Sequence, residues 1–153
     1  MSDAAKDLLR LWLLLLKVVR GLEQDLRDEL RREHNTTLPR FYVMSALSRH
    51  PAGLHISQLS GVLRVSNGNV PGIADRLSEE GLVERIPVPG DRRATMLRLT
   101  PAGAEEFARQ AAAHQEWINE KLRDVSPEDA RAMAARLQAF AAKSEEKEHA
   151  NAQ

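Results

Sequence analysis

Two adjacent arginines follow a glycine and an aspartate in the segment Gly90-Asp91-Arg92-Arg93. Gly90 supplies the backbone freedom that a tight turn needs, and the Asp91 carboxylate can orient a neighbouring guanidinium. Guanidinium groups bind phosphate through paired hydrogen bonds and enter narrow minor grooves. Strand-like runs flank the segment at residues 82–88 and 95–100. This arrangement predicts the tip of a basic β-wing that contacts nucleic acid; a solvated polar turn is the alternative.

A second polar cluster precedes the apolar repeat Val70, Ile73, Ala74 and Leu77, whose spacing predicts an amphipathic helix. Ser66 is a candidate cap for this helix, and an asparagine amide near its start can pair with adenine. Glycines there would let the backbone approach a DNA groove, and an arginine further along is placed for phosphate. An ordinary capped surface helix is the alternative. The predicted DNA-contacting residues are Ser57, Ser66, Asn67, Gly68, Asn69, Gly72, Arg76, Asp91, Arg92 and Arg93.

The periodicity of apolar residues predicts the elements that position these side chains. A short helix at residues 56–63 is followed almost at once by the helix with the apolar repeat, which is typical of a helix-turn-helix. Gly81 stands where a left-handed residue ends that helix, and the strand pair comes next. The predicted fold class is mainly α with a small β-wing, a winged helix-turn-helix with helical dimerisation arms. Long helices are predicted at residues 6–32, 101–122 and 127–143, with a fraying tail beyond.

Composition limits the function classes. The 153 residues contain 22 Lys and Arg against 22 Asp and Glu, so a nucleic-acid footprint must be local. The absence of cysteine excludes a thiolate metal site and a cysteine-based oxidant sensor, and it fits a cytoplasmic protein. The apolar run at residues 11–16 is short and bounded by Arg10 and Lys17, which favours a helix in a protein interface over a membrane segment.

Several segments together resemble the MarR family of winged-helix transcriptional regulators. The resemblance implies one domain over residues 1–153, with the winged helix-turn-helix at 36–100 and dimerisation helices at 6–33 and 101–145. It also implies a homodimer that places its fourth helices in major grooves and its wings in minor grooves of a pseudo-palindromic operator. The segments that carry it are Leu59, Val65-Ser66, Asp75-Arg76-Leu77, Gly81-Leu82-Val83-Glu84-Arg85, Asp91-Arg92-Arg93-Ala94 and Leu99-Thr100-Pro101-Ala102-Gly103.

A narrower resemblance involves residues 36–41, 65–70 and 114–118. They are similar to the branch that represses aromatic catabolism genes and is released by aryl-CoA thioesters, hydroxycinnamoyl-CoA in particular. The chain departs from that branch at Tyr42, where aspartate is usual, and at Pro71, where threonine is usual. Because Pro71 lacks an amide donor and crowds the preceding turn, we expect the fourth helix to begin late, in a tighter turn, or bent.

The family fold is expected to bring the scarce aromatic side chains together around a planar effector. The expected effector-binding residues are Trp12, Leu16, Arg40, Phe41, Tyr42, His114 and Trp117. Each of the aromatic residues has a core role as its alternative, and His114 is either a hydrogen-bond donor to an acyl carbonyl or a core histidine. No cofactor and no catalytic or metal site is predicted, since the histidines lack ligand spacing and no nucleophile motif is present. A free phenolic or aromatic acid as effector, and a winged-helix module for protein contacts, stay open.

Overall fold

The protein is mainly helical with a small three-stranded antiparallel sheet, which confirms the predicted fold class. The computed structural model describes residues 1–63 and 69–151, apart from the side chain of Arg92. The elements in chain order are α1 Asp3–His34, α2 Leu38–Ser48, β1 Leu54–His55, α3 Ile56–Val62, α4 Val70–Glu79, β2 Val83–Val88, β3 Asp91–Leu99, α5 Pro101–Lys121 and α6 Pro127–Asn151.

The chain forms two compact units, Met1–Ala112 and Ala113–Gln153, and α5 contributes residues to both. The core of the first unit is made by apolar side chains that recur on one face of each short helix. Met44 of α2, Leu59 of α3 and Leu77 of α4 are fully buried against Leu97 of β3. Burial of each such side chain contributes about 1.5–3 kcal/mol. This packing turns the polar face of α4 away from the core.

The sheet has the strand order β1-β3-β2, and both pairings are antiparallel. Strand β1 was not predicted, because two residues are too few to show an alternating pattern; Leu54 pairs with Leu97 and is 7% exposed. Strand β3 begins at Asp91 rather than at residue 95, so the wing is longer than the sequence indicated.

Several helix ends also differ from the predictions. The Ser2 hydroxyl accepts the Ala5 N–H and starts α1 at Asp3 rather than at residue 6. The predicted fraying of the C-terminal tail is wrong up to Asn151, because the Glu-, Lys- and Ala-rich sequence there continues α6. Among the described residues no helix is long and apolar enough to cross a membrane.

Candidate nucleic-acid interface

The N-terminus of α4 is capped by Asn69, whose Oδ1 accepts the Gly72 N–H at 3.4 Å. Pro71 lies in the first turn, where its missing N–H leaves no hydrogen bond unmade. Because α4 starts at Val70 with Asn69 as its N-cap, the late beginning is the alternative that the structure has among those expected from Pro71. The predicted contacts Ser66, Asn67 and Gly68 lie outside the described residues.

Gly72 leaves room for the Asn69 side chain that caps α4. A Cβ at this position would lie 3.1 Å from Asn69 Nδ2, so glycine lets the asparagine side chain lie over the first turn. The structure thus explains Gly72 and Asn69 by helix capping. The Asn69 side chain is exposed, and oxygen Oδ1 retains a second lone pair beside the free amide hydrogens.

The exposed face of α4 carries Asp75, Arg76 and Glu79. Asp75 forms an ion pair with Arg85 of β2, which ties the helix to the wing. The exposed Arg76 lies in the last turn of the helix, where a cation also interacts favourably with the helix dipole. The predicted contact Ser57 lies in the first turn of α3 and is also exposed.

The wing turns at Pro89 and Gly90, where Gly90 adopts a φ of 81°. Proline followed by a glycine with positive φ is the pattern of a type II turn. Asp91 pairs with Val88, but Thr95 already pairs with Pro87, so residues 92–94 bulge out of the ladder. The arginines therefore lie in this bulge and not in the turn, which corrects the prediction.

Asp91 orders the start of this bulge. Its carboxylate accepts the backbone N–H of Arg93 at 2.9 Å. The Arg93 side chain is exposed, and the side chain of Arg92 lies outside the described part. Residues in a bulge take no part in the strand pairing, so the exposed Arg93 side chain is available to DNA phosphates.

A groove of about 480 Å³ opens beside the N-terminus of α4. Its lining joins residues of α1, α2 and α4, and we call it the arginine groove because four arginines contribute to it. Two of them, Arg27 and Arg31, were not predicted, although their i, i+4 spacing on α1 places them on one helix face. The arginine groove is lined in part by Arg27, Arg31, Arg40, Asn69, Gly72 and Arg76.

Two of the four arginines in the arginine groove are paired with acidic side chains. Arg27 lies 3.5 Å from Glu23 on α1, and Arg40 forms an ion pair with Glu80, the C-cap of α4. The Arg40 side chain is only 13% exposed, so it braces α2 against α4 as well as lining the groove. Within a chain of no net charge, the arginine groove thus gathers four guanidinium groups beside α4, the helix predicted to enter DNA.

The predicted effector residues of the first unit differ in their burial. Phe41 is 4% exposed and packs on Phe107, with ring centroids 5.6 Å apart, so it serves the core. Tyr42 is half-buried and donates its hydroxyl hydrogen to Glu23 at 3.4 Å. Burial, reinforced by the Glu23 charge, raises the pKa of Tyr42. Trp12 is 56% exposed on α1, and Leu16 is half-buried on the same helix.

In the second unit, His114 stacks on Trp117 with ring centroids 6.3 Å apart, and the Lys121 ammonium lies 5.8 Å from the Trp117 ring centre. Burial lowers the pKa of His114, which favours the neutral ring. The described residues include no group of three or more His, Asp or Glu able to hold a metal ion.

Comparisons with known proteins agree with this geometry. A family model described as MarR family matches residues 34–94. The HTH-type transcriptional regulator PecS of Dickeya dadantii is 27% identical over 104 residues, which cover 67% of this chain and 63% of PecS. The alignment thus spans less than two thirds of that curated relative.

Solved structures extend the similarity to nearly the whole chain. A MarR family transcriptional regulator from Silicibacter pomeroyi is 33% identical, with a TM-score of 0.79 over 94% of this chain and 99% of that one. A mutant MarR from E. coli complexed with operator DNA is 25% identical, with a TM-score of 0.72 over 91% of this chain and 99% of that one. With this fold, this helix-turn-helix and wing, and 33% identity over its length, the chain belongs to the MarR family of winged helix-turn-helix transcriptional regulators.

Proposed function

We propose that the chain is a cytoplasmic homodimeric repressor that binds a pseudo-palindromic operator and releases it when a small aromatic effector binds. The observation that carries the DNA-binding part is the arginine groove. Four arginines line one groove beside α4 in a chain without net charge, and phosphate contacts dominate the affinity of proteins for DNA.

In this proposal α4 enters a major groove, and its N-terminal residues contact base edges. Asn67 and Asn69 supply the base contacts, with Ser66, Gly68 and Gly72 lying close to the DNA backbone. Arg31 and Arg76 of the arginine groove bind phosphates, as does Ser57 at the start of α3. The E. coli MarR mutant, solved with operator DNA, supports this assignment by its similarity.

The DNA-binding proposal is tested by fluorescence anisotropy with the intergenic DNA beside the chain's own gene, over a series of salt concentrations. We expect Arg31→Ala and Arg76→Ala each to weaken binding and to reduce the salt slope by about 1. Arg123→Ala, at an exposed arginine between α5 and α6, is the matched control and should bind as the parent does. Without specific, salt-sensitive binding of the parent, a winged-helix module for protein contacts becomes the better interpretation.

For the effector we propose an aryl-CoA thioester such as hydroxycinnamoyl-CoA, with a free phenolic or aromatic acid as the second candidate. The half-buried Tyr42 and Leu16, and the exposed Trp12, offer an aryl group contacts on α1 and α2. In the second unit the stacked His114 and Trp117 offer a flat surface and a ring nitrogen. Arg40 is the cation proposed for the CoA phosphates.

Titration of the protein–DNA complex with hydroxycinnamoyl-CoA, benzoyl-CoA and the corresponding free acids separates these candidates. Release by the thioesters alone supports the aryl-CoA proposal, and release by the free acids alone supports the second candidate. DNA binding that persists with every compound contradicts both. Trp12→Ala should raise the effector concentration needed for release.

A further inference from the structure

Glu80, the C-cap of α4, has two arginines near its carboxylate. Arg76 precedes it by four positions, which places both side chains on one face of the helix with Cβ atoms about 5–6 Å apart. The turn between them is closed, since the Glu80 N–H donates to the Arg76 carbonyl at 3.0 Å. Arg40 of α2, forty positions away in the chain, approaches the same carboxylate from the neighbouring helix. One carboxylate can therefore neutralise the arginine of α4 or the arginine of α2.

The structure pairs Glu80 with Arg40. The Arg40 side chain is only 13% exposed, and a guanidinium that has lost most of its water is costly to leave without a partner. Its attraction to a carboxylate is also screened less by salt than that of an exposed arginine. Arg76 is exposed, and none of the ion pairs formed by the described residues involves it. The burial of Arg40 thus explains why Glu80 pairs across the two helices and not within α4.

The position of Arg40 makes this choice relevant to DNA. Arg40 lines the arginine groove together with Arg76, and it lines a neighbouring pocket together with Glu80. It therefore lies between the carboxylate and the groove. A carboxylate paired with Arg76 would cancel the positive charge that this arginine offers to a phosphate.

We infer that Arg40 is a positioning residue for DNA binding. It holds the Glu80 carboxylate away from Arg76, so the charge of Arg76 stays available to a DNA phosphate. The inference rests on the phosphate contact proposed for Arg76, and it adds how the protein keeps that arginine free of its acidic neighbour on α4.

Salt-dependent anisotropy with the intergenic DNA compares the parent, Arg40→Met and the double variant Arg40→Met/Glu80→Gln. Arg40→Met should weaken binding and reduce the salt slope by about 1, as Arg76→Ala does, because Glu80 then pairs with Arg76. The double variant should recover the parental slope, since a neutral amide does not cancel the charge of Arg76. A double variant that stays as weak as Arg40→Met would overturn the inference, because Arg40 would then act by itself.

A matched control separates this pairing from net charge. Arg40→Met/Glu105→Gln has the same net charge as the double variant, and Glu105 lines the same pocket as Glu80, but it lies on α5. This control should keep the reduced slope of Arg40→Met, and recovery of the parental slope would overturn the inference. Arg40→Lys retains the cation and should bind nearly as the parent does. Arg40→Gln takes the place of Arg40→Met if the latter does not fold.

The change of partner is also measured without DNA, in the full-length ¹⁵N-labelled protein. Arg40→Met should shift the Nε–H NMR signal of Arg76, and Arg40→Met/Glu80→Gln should return it to its parental position. An Arg76 signal that does not move in Arg40→Met overturns the inference. A parental salt slope in Arg76→Ala contradicts the proposed phosphate contact and, with it, the DNA role of Arg40. A slope reduced in Arg76→Ala but parental in Arg40→Met overturns this inference alone.

Discussion

At the scale of single residues, Gly103 shows how close packing of the backbone determines a residue type. A Cβ on Gly103 would lie 1.8 Å from the carbonyl oxygen of Leu82. The Thr100 hydroxyl donates to the Gly81 carbonyl at 2.6 Å and accepts the Gly103 N–H at 3.0 Å. The start of α5 is thereby held against the end of α4, and no side chain fits between them.

We expect Gly103→Ala to lower the free energy of unfolding by about 1–3 kcal/mol or more, because the Leu82 backbone must move. Gly21→Ala is the matched control: it lies inside α1 with no atom near its Cβ, so it should raise stability by about 0.5–1 kcal/mol. Urea unfolding at equal protein concentrations measures both. Equal stability of Gly103→Ala and the parent would contradict the close approach.

His114 should make the stability of the protein depend on pH. Its pKa is lowered in the folded state by burial, so the unfolded chain takes up the proton first as pH falls. Stability is therefore fully present above the unfolded pKa of about 6.5 and decreases below it. We expect thermal midpoints measured between pH 8 and about 5.5 to fall less steeply in His114→Gln than in the parent. The exposed His149→Gln is the control and should keep the parental slope.

At the scale of elements, one ion pair joins the wing to α4 and another joins the two strands of the wing. Arg85 of β2 pairs with Asp75 of α4, and Arg98 of β3 pairs with Glu84 of β2. Such exposed pairs contribute only about 0.2–1 kcal/mol each, so their effect is orientation more than stability. The bulge at residues 92–94 leaves Arg93 outside this pairing.

The wing prediction compares two arginines of β3. Arg93→Ala should weaken operator binding and reduce the salt slope by about 1, because its exposed guanidinium contacts phosphate in the proposed complex. Arg98→Ala also removes an arginine side chain, but one near the base of the wing that Glu84 neutralises. It should therefore change the salt slope little. Anisotropy titrations at several salt concentrations measure both. Identical slopes for Arg93→Ala and the parent would exclude the wing as a DNA contact.

At the scale of the whole molecule, each compact unit leaves apolar side chains uncovered. In the first unit the N-terminal half of α1 exposes Leu13 by 54% and Trp12 by 56%. In the second unit α6 exposes Phe140 by 72% and Leu137 by 50%. Monomeric proteins rarely leave large contiguous apolar patches exposed, which supports the proposed homodimer.

We expect the parent chain to sediment as a dimer, at twice its mass of 17.1 kDa. Leu13→Asp and Phe140→Asp should each shift the equilibrium toward monomer, because an unpaired carboxylate in an apolar interface is costly to desolvate. Gln24→Asp, also exposed on α1, is the control and should remain dimeric. A parent that sediments as a monomer at micromolar concentration would contradict the homodimer.

Local sequence signals were sufficient to predict much of the fold. The apolar repeat of α4, the left-handed Gly81 with its φ of 74°, and the Thr100-Pro101 start of α5 all depend on neighbours within a few positions. Such signals are local, so the sequence alone predicted the order of helices and the wing, while the structure selected the late start of α4 from the alternatives that Pro71 left open.

Tertiary packing decided which side chains meet. The arginine groove joins Arg27 and Arg31 of α1 to Arg76 of α4. Residues so far apart in the chain show no periodic relation, because their proximity depends on how the intervening helices pack. The same packing buried Phe41 and excluded any side chain at Gly103, since burial and close approach are properties of the assembled core and not of a local pattern.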